Sequence, residues 1–95
     1  SPEVAAHLAA RWAAKESFVK AWSAALYGQP PVIFEADLVW SEIEVIQDRW
    51  GRPLLAFHGK VAQAVKESVG HVRCHLSLTH DGPVASAVVV LESVE

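Results

Sequence analysis

Apolar and polar positions alternate along this chain with two periods, one helical and one extended, and the switch between them divides it into segments. From Pro2 to Tyr27 the apolar residues follow the helical repeat. At about 100° per residue, Val4, Leu8, Trp12, Val19, Trp22 and Leu26 fall on one stripe, which predicts a long helix facing a core. Ser1 as N-cap, Pro2 in the first turn and Glu3 near the positive end of the dipole predict its start, while Gly28, Pro30 and Pro31 predict its stop. A connector follows over 29–41, where Glu35 and Asp37, with Glu42 just beyond, read as solvated acids. From Glu42 to Asp48 the period becomes two, with Ile43 and Val45 on one face and Glu42 and Glu44 on the other, as in a half-buried strand. A turn over Arg49–Arg52 pivots on Gly51, and Pro53–His58 returns as a second strand.

The helical period comes back in Gly59–Val69, with Val61, Ala62, Ala64 and Val65 on the core side, and Gly70 ends it. Val72–Thr79 alternates again, with Val72, Cys74, Leu76 and Leu78 on one face and Arg73, His75, Ser77 and Thr79 on the other. After a turn at His80–Pro83, Val84–Leu91 is apolar on both faces, as a central strand is. The fold class predicted is α+β, a long helix packed on an antiparallel sheet built from the hairpin and the last two strands, with the short helix crossing over.

Composition narrows what such a domain does. Its 95 residues, 52% of them hydrophobic, make one small core. A net charge of -3 argues against nonspecific nucleic-acid binding, and no apolar run approaches the roughly 18 residues of a membrane span. The single Cys74 allows no internal disulfide and reads as a core thiol. A soluble cytoplasmic protein is expected. There is no Met anywhere, so the chain is expected to be a fragment or a processed piece of something longer.

Candidate chemistry gathers at Arg11–Trp22. Glu16 and Lys20 stand one turn apart on the flank of the stripe, where they form either a surface ion pair or the acid and base of a site. Lys15, directed toward the middle of the stripe, must snorkel or find an anion. Together with Arg11, these residues suggest a site for something anionic and phosphate-like, with a carboxylate free to hold a metal. His7, His58 and His71 show no ligand spacing, and His80 no obvious duty. His75, Ser77 and Thr79 offer donors on one surface.

The run Arg11, Trp12, Ala13, Ala14, Lys15, Glu16, Ser17 and Lys20 resembles the signature helix of the holo-acyl-carrier-protein synthases, the trimeric 4'-phosphopantetheinyl transferases. Two later segments, Ile43–Pro53 and His75–Glu92, resemble the same family in order and spacing. The wording Leu8 to Glu16 is closest to the actinobacterial type. The resemblance implies Mg²⁺-dependent transfer of the 4'-phosphopantetheine arm of coenzyme A to a serine of apo-acyl carrier protein, with release of 3',5'-ADP. It implies Glu16 as metal ligand and catalytic carboxylate, and Lys20 as the catalytic lysine on the phosphates. It also implies Arg11, Gly51, Arg52, Pro53, His75 and Ser77 as contacts for coenzyme A, and a homotrimer with sites between subunits. The family's second metal carboxylate is an Asp on a strand preceding the helix, which this sequence lacks. The expectation is one transferase domain, 1–95, incomplete at its N-terminus. Asp37, which lies after the helix, is a coincidental match. An inactive scaffold or a binding module of the same fold is the alternative.

Overall fold

The computed structural model describes residues 2–94. Helix α1 spans Pro2–Ala25; after a connector with two single turns of 3₁₀ helix, Glu35–Asp37 and Trp40–Glu42, come strand β1 (Ile43–Gln47), strand β2 (Pro53–Phe57), helix α2 (Gly59–Val69), and strands β3 (Val72–Asp81) and β4 (Val84–Ser93). The predicted boundaries of α2 agree with these, and α1 ends two residues earlier than predicted. Ser1, the expected N-cap, lies outside the described residues.

Among the described residues the four strands make two antiparallel hairpins rather than the single sheet expected from the sequence. β1 pairs with β2 from Ile43↔Phe57 to Gln47↔Pro53, and β3 with β4 from Val72↔Ser93 to Asp81↔Val84. β2 lies beside β3, but no ladder joins them. The second turn is tighter than predicted, because His80 and Asp81 stay in the ladder and only Gly82 and Pro83 form the loop. Gly82 takes φ +60°, as the first central residue of a two-residue hairpin loop of the II′ kind requires.

The core-facing stripe of α1 differs from the expected one in its first half. Its buried residues are Ala10, Ala14, Phe18 and Trp22, spaced by four, and Leu26 follows them just beyond the helix. Val4, Leu8 and Trp12 are exposed. The reason is close packing against β4. Ala10 and Ala14 present almost no side chain, so strand and helix backbones approach closely enough for Ser17 Oγ to donate to the Ala87 carbonyl at 3.1 Å. Phe18 is fully buried and packs on Trp22 and Phe57, with ring centroids 5.6 and 4.5 Å away. Ile43 and Val61 are the other large residues with no exposure. Trp22 Nε1 donates to Ser68 Oγ at 2.9 Å, and Ser68 Oγ in turn donates to the Ala64 carbonyl, so the polar tip of the core indole is satisfied and α1 is tied to α2.

β4 also differs from a central strand. Ala85, Ala87, Val89 and Leu91 are half-buried toward α1, while Val84, Val88 and Val90 are exposed. Cys74 is half-buried, and burial pushes its thiol pKa up, which fits an unreactive thiol.

Glu42 is not simply solvated. His58 precedes α2 without a side-chain cap, and the Glu42 carboxylate takes that role by accepting the Val61 backbone N–H at 3.1 Å. Gly59 makes this possible. It takes φ +56°, and a Cβ there would collide with the Glu42 carboxylate. Glu42→Ala is expected to cost about 1 kcal/mol of stability, read as a lower urea midpoint with an unchanged slope.

Candidate functional site

Four of the residues singled out from the sequence meet in one place. Arg11 from α1, Gly51 from the first hairpin turn, Pro53 from β2 and Ser77 from β3 line a single cleft of ≈ 320 Å³. Its floor is apolar, with Ala10, Val45, Leu76 and Leu78, and Gln47 completes one wall. Each arrives by a local rule. Gly51 can turn the chain because its φ is +82°. Pro53 opens a strand, a position where its missing N–H is tolerated. Arg11 is placed by the close approach of α1 to the strands, which leaves its guanidinium at the rim and exposed.

Two more residues complete the cleft that the sequence reading left without a role, His7 and His80. His7 is four residues before Arg11 and so lies on the same side of the helix; that spacing was the available signal. His80 needs the tertiary structure, because it reaches the cleft only by virtue of the β3 ladder extending past Thr79.

The other predicted residues lie elsewhere. Arg52 turns outward, and its Nε donates to Asp48 Oδ2 at 2.7 Å. His75 is exposed on β3 and pairs with Glu92 across the ladder, Nε2 to Oε1 3.1 Å; that contact is the main reason the Glu92 carboxyl is held below its usual range. Glu16 and Lys20 are both exposed on the face of α1 turned away from the buried stripe, rather than on its flank. They form no ion pair with each other among the described residues, so the surface-pair reading is not realised and the Glu16 carboxylate is free. Lys15 resolves its burial by donating to the Trp40 carbonyl at 3.0 Å, a neutral partner rather than an anion. Beside it Trp12, half exposed, packs on Trp40 with centroids 4.8 Å apart.

Among the described residues no three of His, Cys, Asp and Glu come together as a metal site. A single free carboxylate is nevertheless compatible with Mg²⁺, which is held by one or two carboxylates beside waters and substrate phosphates rather than by a protein cage. A second groove, ≈ 230 Å³, lies between the end of α1 and the connector, lined by Trp22, Leu26, Ile33 and Leu38 among others, and contains none of the residues singled out from the sequence.

Residues 1–88 match the family model described as the 4'-phosphopantetheinyl transferase superfamily. The chain belongs to that family. A holo-[acyl-carrier-protein] synthase of Corynebacterium glutamicum is 55% identical over 87 residues, covering 92% of this chain and 64% of the relative. The corresponding synthase of Mycobacterium tuberculosis is 46% identical over 93 residues, covering 98% and 67%. A solved Chronobacterium ammoniagenes ACPS–CoA complex superposes with TM-score 0.90 at 51% identity, over 95% of this chain and 67% of that one. Mycobacterium tuberculosis acyl carrier protein synthase superposes with TM-score 0.76 at 43% identity, over 93% and 69%. The α+β class and the resemblance to actinobacterial members read from the sequence therefore both hold. The chain spans less than two thirds of the length of the Corynebacterium relatives. No helix among the described residues is long and apolar enough to cross a membrane.

Proposed function

We propose that the protein carrying this chain is a holo-acyl-carrier-protein synthase of the cytoplasm, which moves 4'-phosphopantetheine from coenzyme A to a serine of apo-acyl carrier protein. The observation that carries this reading is the convergence of Arg11, the pair Gly51 and Pro53, and Ser77, from three separate parts of the sequence, on one cleft in a chain of this family. A cationic rim over an apolar floor suits a nucleotide whose phosphates stay at the mouth. In the transfer, the serine oxygen forms a bond to the phosphorus bearing the pantetheine arm. The pyrophosphate P–O bond breaks, 3',5'-ADP leaves with the electron pair, and the serine proton passes to a base.

Glu16 is the catalytic carboxylate on this reading: it would hold Mg²⁺ and orient the incoming hydroxyl. When bound, that ion supplies charge neutralisation on the pyrophosphate. Lys20 meets the phosphates, where its ammonium offsets charge gathering on the leaving group. Arg11, Arg52, His75 and Ser77 are read as contacts for the nucleotide end. Because Glu16 and Lys20 lie on a face of α1 other than the one that walls the cleft, a site built between copies of the chain fits best, and a homotrimer is the assembly proposed.

The test is the intact mass of apo-acyl carrier protein after incubation with coenzyme A, Mg²⁺ and the full-length protein. A gain of one phosphopantetheine arm is expected; no gain with a folded sample, across several carrier proteins, would instead favour an inactive scaffold. Lys20→Ala is expected to slow transfer on the order of 10²-fold while the far-UV spectrum stays unchanged, since the side chain is exposed.

A further inference from the structure

The connector between α1 and β1 is fixed at its two ends and held by little in between. Gln29 donates its backbone N–H to the Leu26 carbonyl at 2.8 Å, which ties the near end to α1. At the far end the Trp40 carbonyl accepts Lys15 Nζ, and the Trp40 ring packs on Trp12. Residues 30–33 make no hydrogen bond among the described residues. Pro30 and Pro31 have no N–H to offer, Val32 is exposed, and within this stretch Ile33 alone packs against the core. Open space lies on both sides: the ≈ 230 Å³ groove toward α1 and one of ≈ 330 Å³ toward α2, with Val32 and Ile33 lining both. A long connector with few bonds and room on either side can move without disturbing the core.

Its position gives that freedom a use. Trp12 and Lys15 touch the connector, and Val19 and Ser23 line the groove beside it. On α1 these residues bracket Glu16 and Lys20, since Trp12 is four before Glu16, Val19 three after it, and Ser23 three after Lys20. The connector therefore runs alongside the carboxylate and ammonium that the function proposed above assigns to the reacting phosphates. There water competes with serine. A water oxygen that bonds to the phosphorus bearing the pantetheine arm breaks the same pyrophosphate P–O bond and loses its proton to the same base. The products are then 4'-phosphopantetheine and 3',5'-ADP. Glu16 and Lys20 are both open to solvent, so the fold as it stands does not exclude that reaction.

Resting on that function, we propose that the 29–41 connector is a strap, hinged at Gln29 and Trp40, whose Pro30–Phe34 stretch closes over bound coenzyme A beside Glu16 and Lys20 and so selects the carrier serine over water. Its two prolines keep the moving stretch stiff, so it swings as one piece.

The experiment uses the full-length protein with coenzyme A and Mg²⁺ and compares release of 3',5'-ADP without carrier protein against transfer to apo-acyl carrier protein. The double variant Pro30→Gly, Pro31→Gly loosens the moving stretch. Trp40→Leu loosens the far hinge and serves if the double variant does not fold. Each is expected to raise carrier-independent release about 10-fold relative to transfer. In the parent, amide exchange at Val32, Ile33 and Phe34 is expected to slow when coenzyme A binds. An unmoved ratio in a folded variant, including a parallel fall in both rates, overturns the strap and leaves the transferase reading intact. Exchange at these three amides unaltered by bound coenzyme A does the same. No transfer by the parent sinks that reading, and the strap with it.

Discussion

Glu16→Gln is expected to abolish metal-dependent transfer and leave the fold as it is. The carboxylate is exposed, makes no hydrogen bond or ion pair among the described residues, and stands on the face of α1 away from the core, so the near-isosteric amide removes charge and little else. A neutral amide is a poor ligand for a hard cation and cannot accept a proton at neutral pH, so both roles proposed for Glu16 fail together. A loss of about 10³-fold or more in kcat/KM is expected, with a melting temperature indistinguishable from that of the parent. Mg²⁺ titration separates the causes: partial recovery at high Mg²⁺ would point to weakened metal binding, and none to a role in proton transfer. Unfolding of the variant would make Glu16 structural and remove the proposed mechanism.

The other large effect belongs to the core. Phe18→Ala is expected to destabilise the chain by about 3–5 kcal/mol, enough to bring a domain of this size near its unfolding threshold. Phe18 is fully buried between Trp22 and Phe57, so its removal opens a hole among rings too large to rearrange. Phe18→Leu should recover most of the loss. Urea unfolding followed by Trp fluorescence checks both, and a Phe18→Ala cost below about 1 kcal/mol would mean that the site collapses to fill the space.

Phe18 also marks where sequence reasoning fell short. Val4, Leu8 and Trp12 share helical spacing with Trp22 and Leu26, and spacing alone does not reveal what covers each turn. The decisive signal in the first half of α1 was smallness: Ala10 and Ala14 allow β4 to approach, and the buried stripe follows them to Phe18. Elements whose signals are local were legible, as with α2 ending at Gly70 and the alternation from Val72 to Thr79. The separation of the strands into two hairpins was not, because alternation records which face is buried and is silent on which strands share a ladder.

The site divides the same way. Arg11, Gly51, Pro53 and Ser77 could be picked out through the family's motifs, but their meeting in one cleft depends on β3 lying beside β2. Glu42 was misread because a carboxylate ahead of a strand gives no local sign that it will cap a helix begun seventeen residues later. His80 was passed over for a related reason: a residue assigned to a turn is not expected to line a wall.

The bond from Ser17 to the Ala87 carbonyl joins positions 70 apart in the chain. Of the described elements α1 leaves the ribosome first and β4, the strand it packs against, last. During synthesis Phe18 and Trp22 can already meet Phe57 and Ser68, but the small-residue face of Ala10, Ala14 and Ser17 stays uncovered until that strand emerges, so the seam between α1 and β4 closes last.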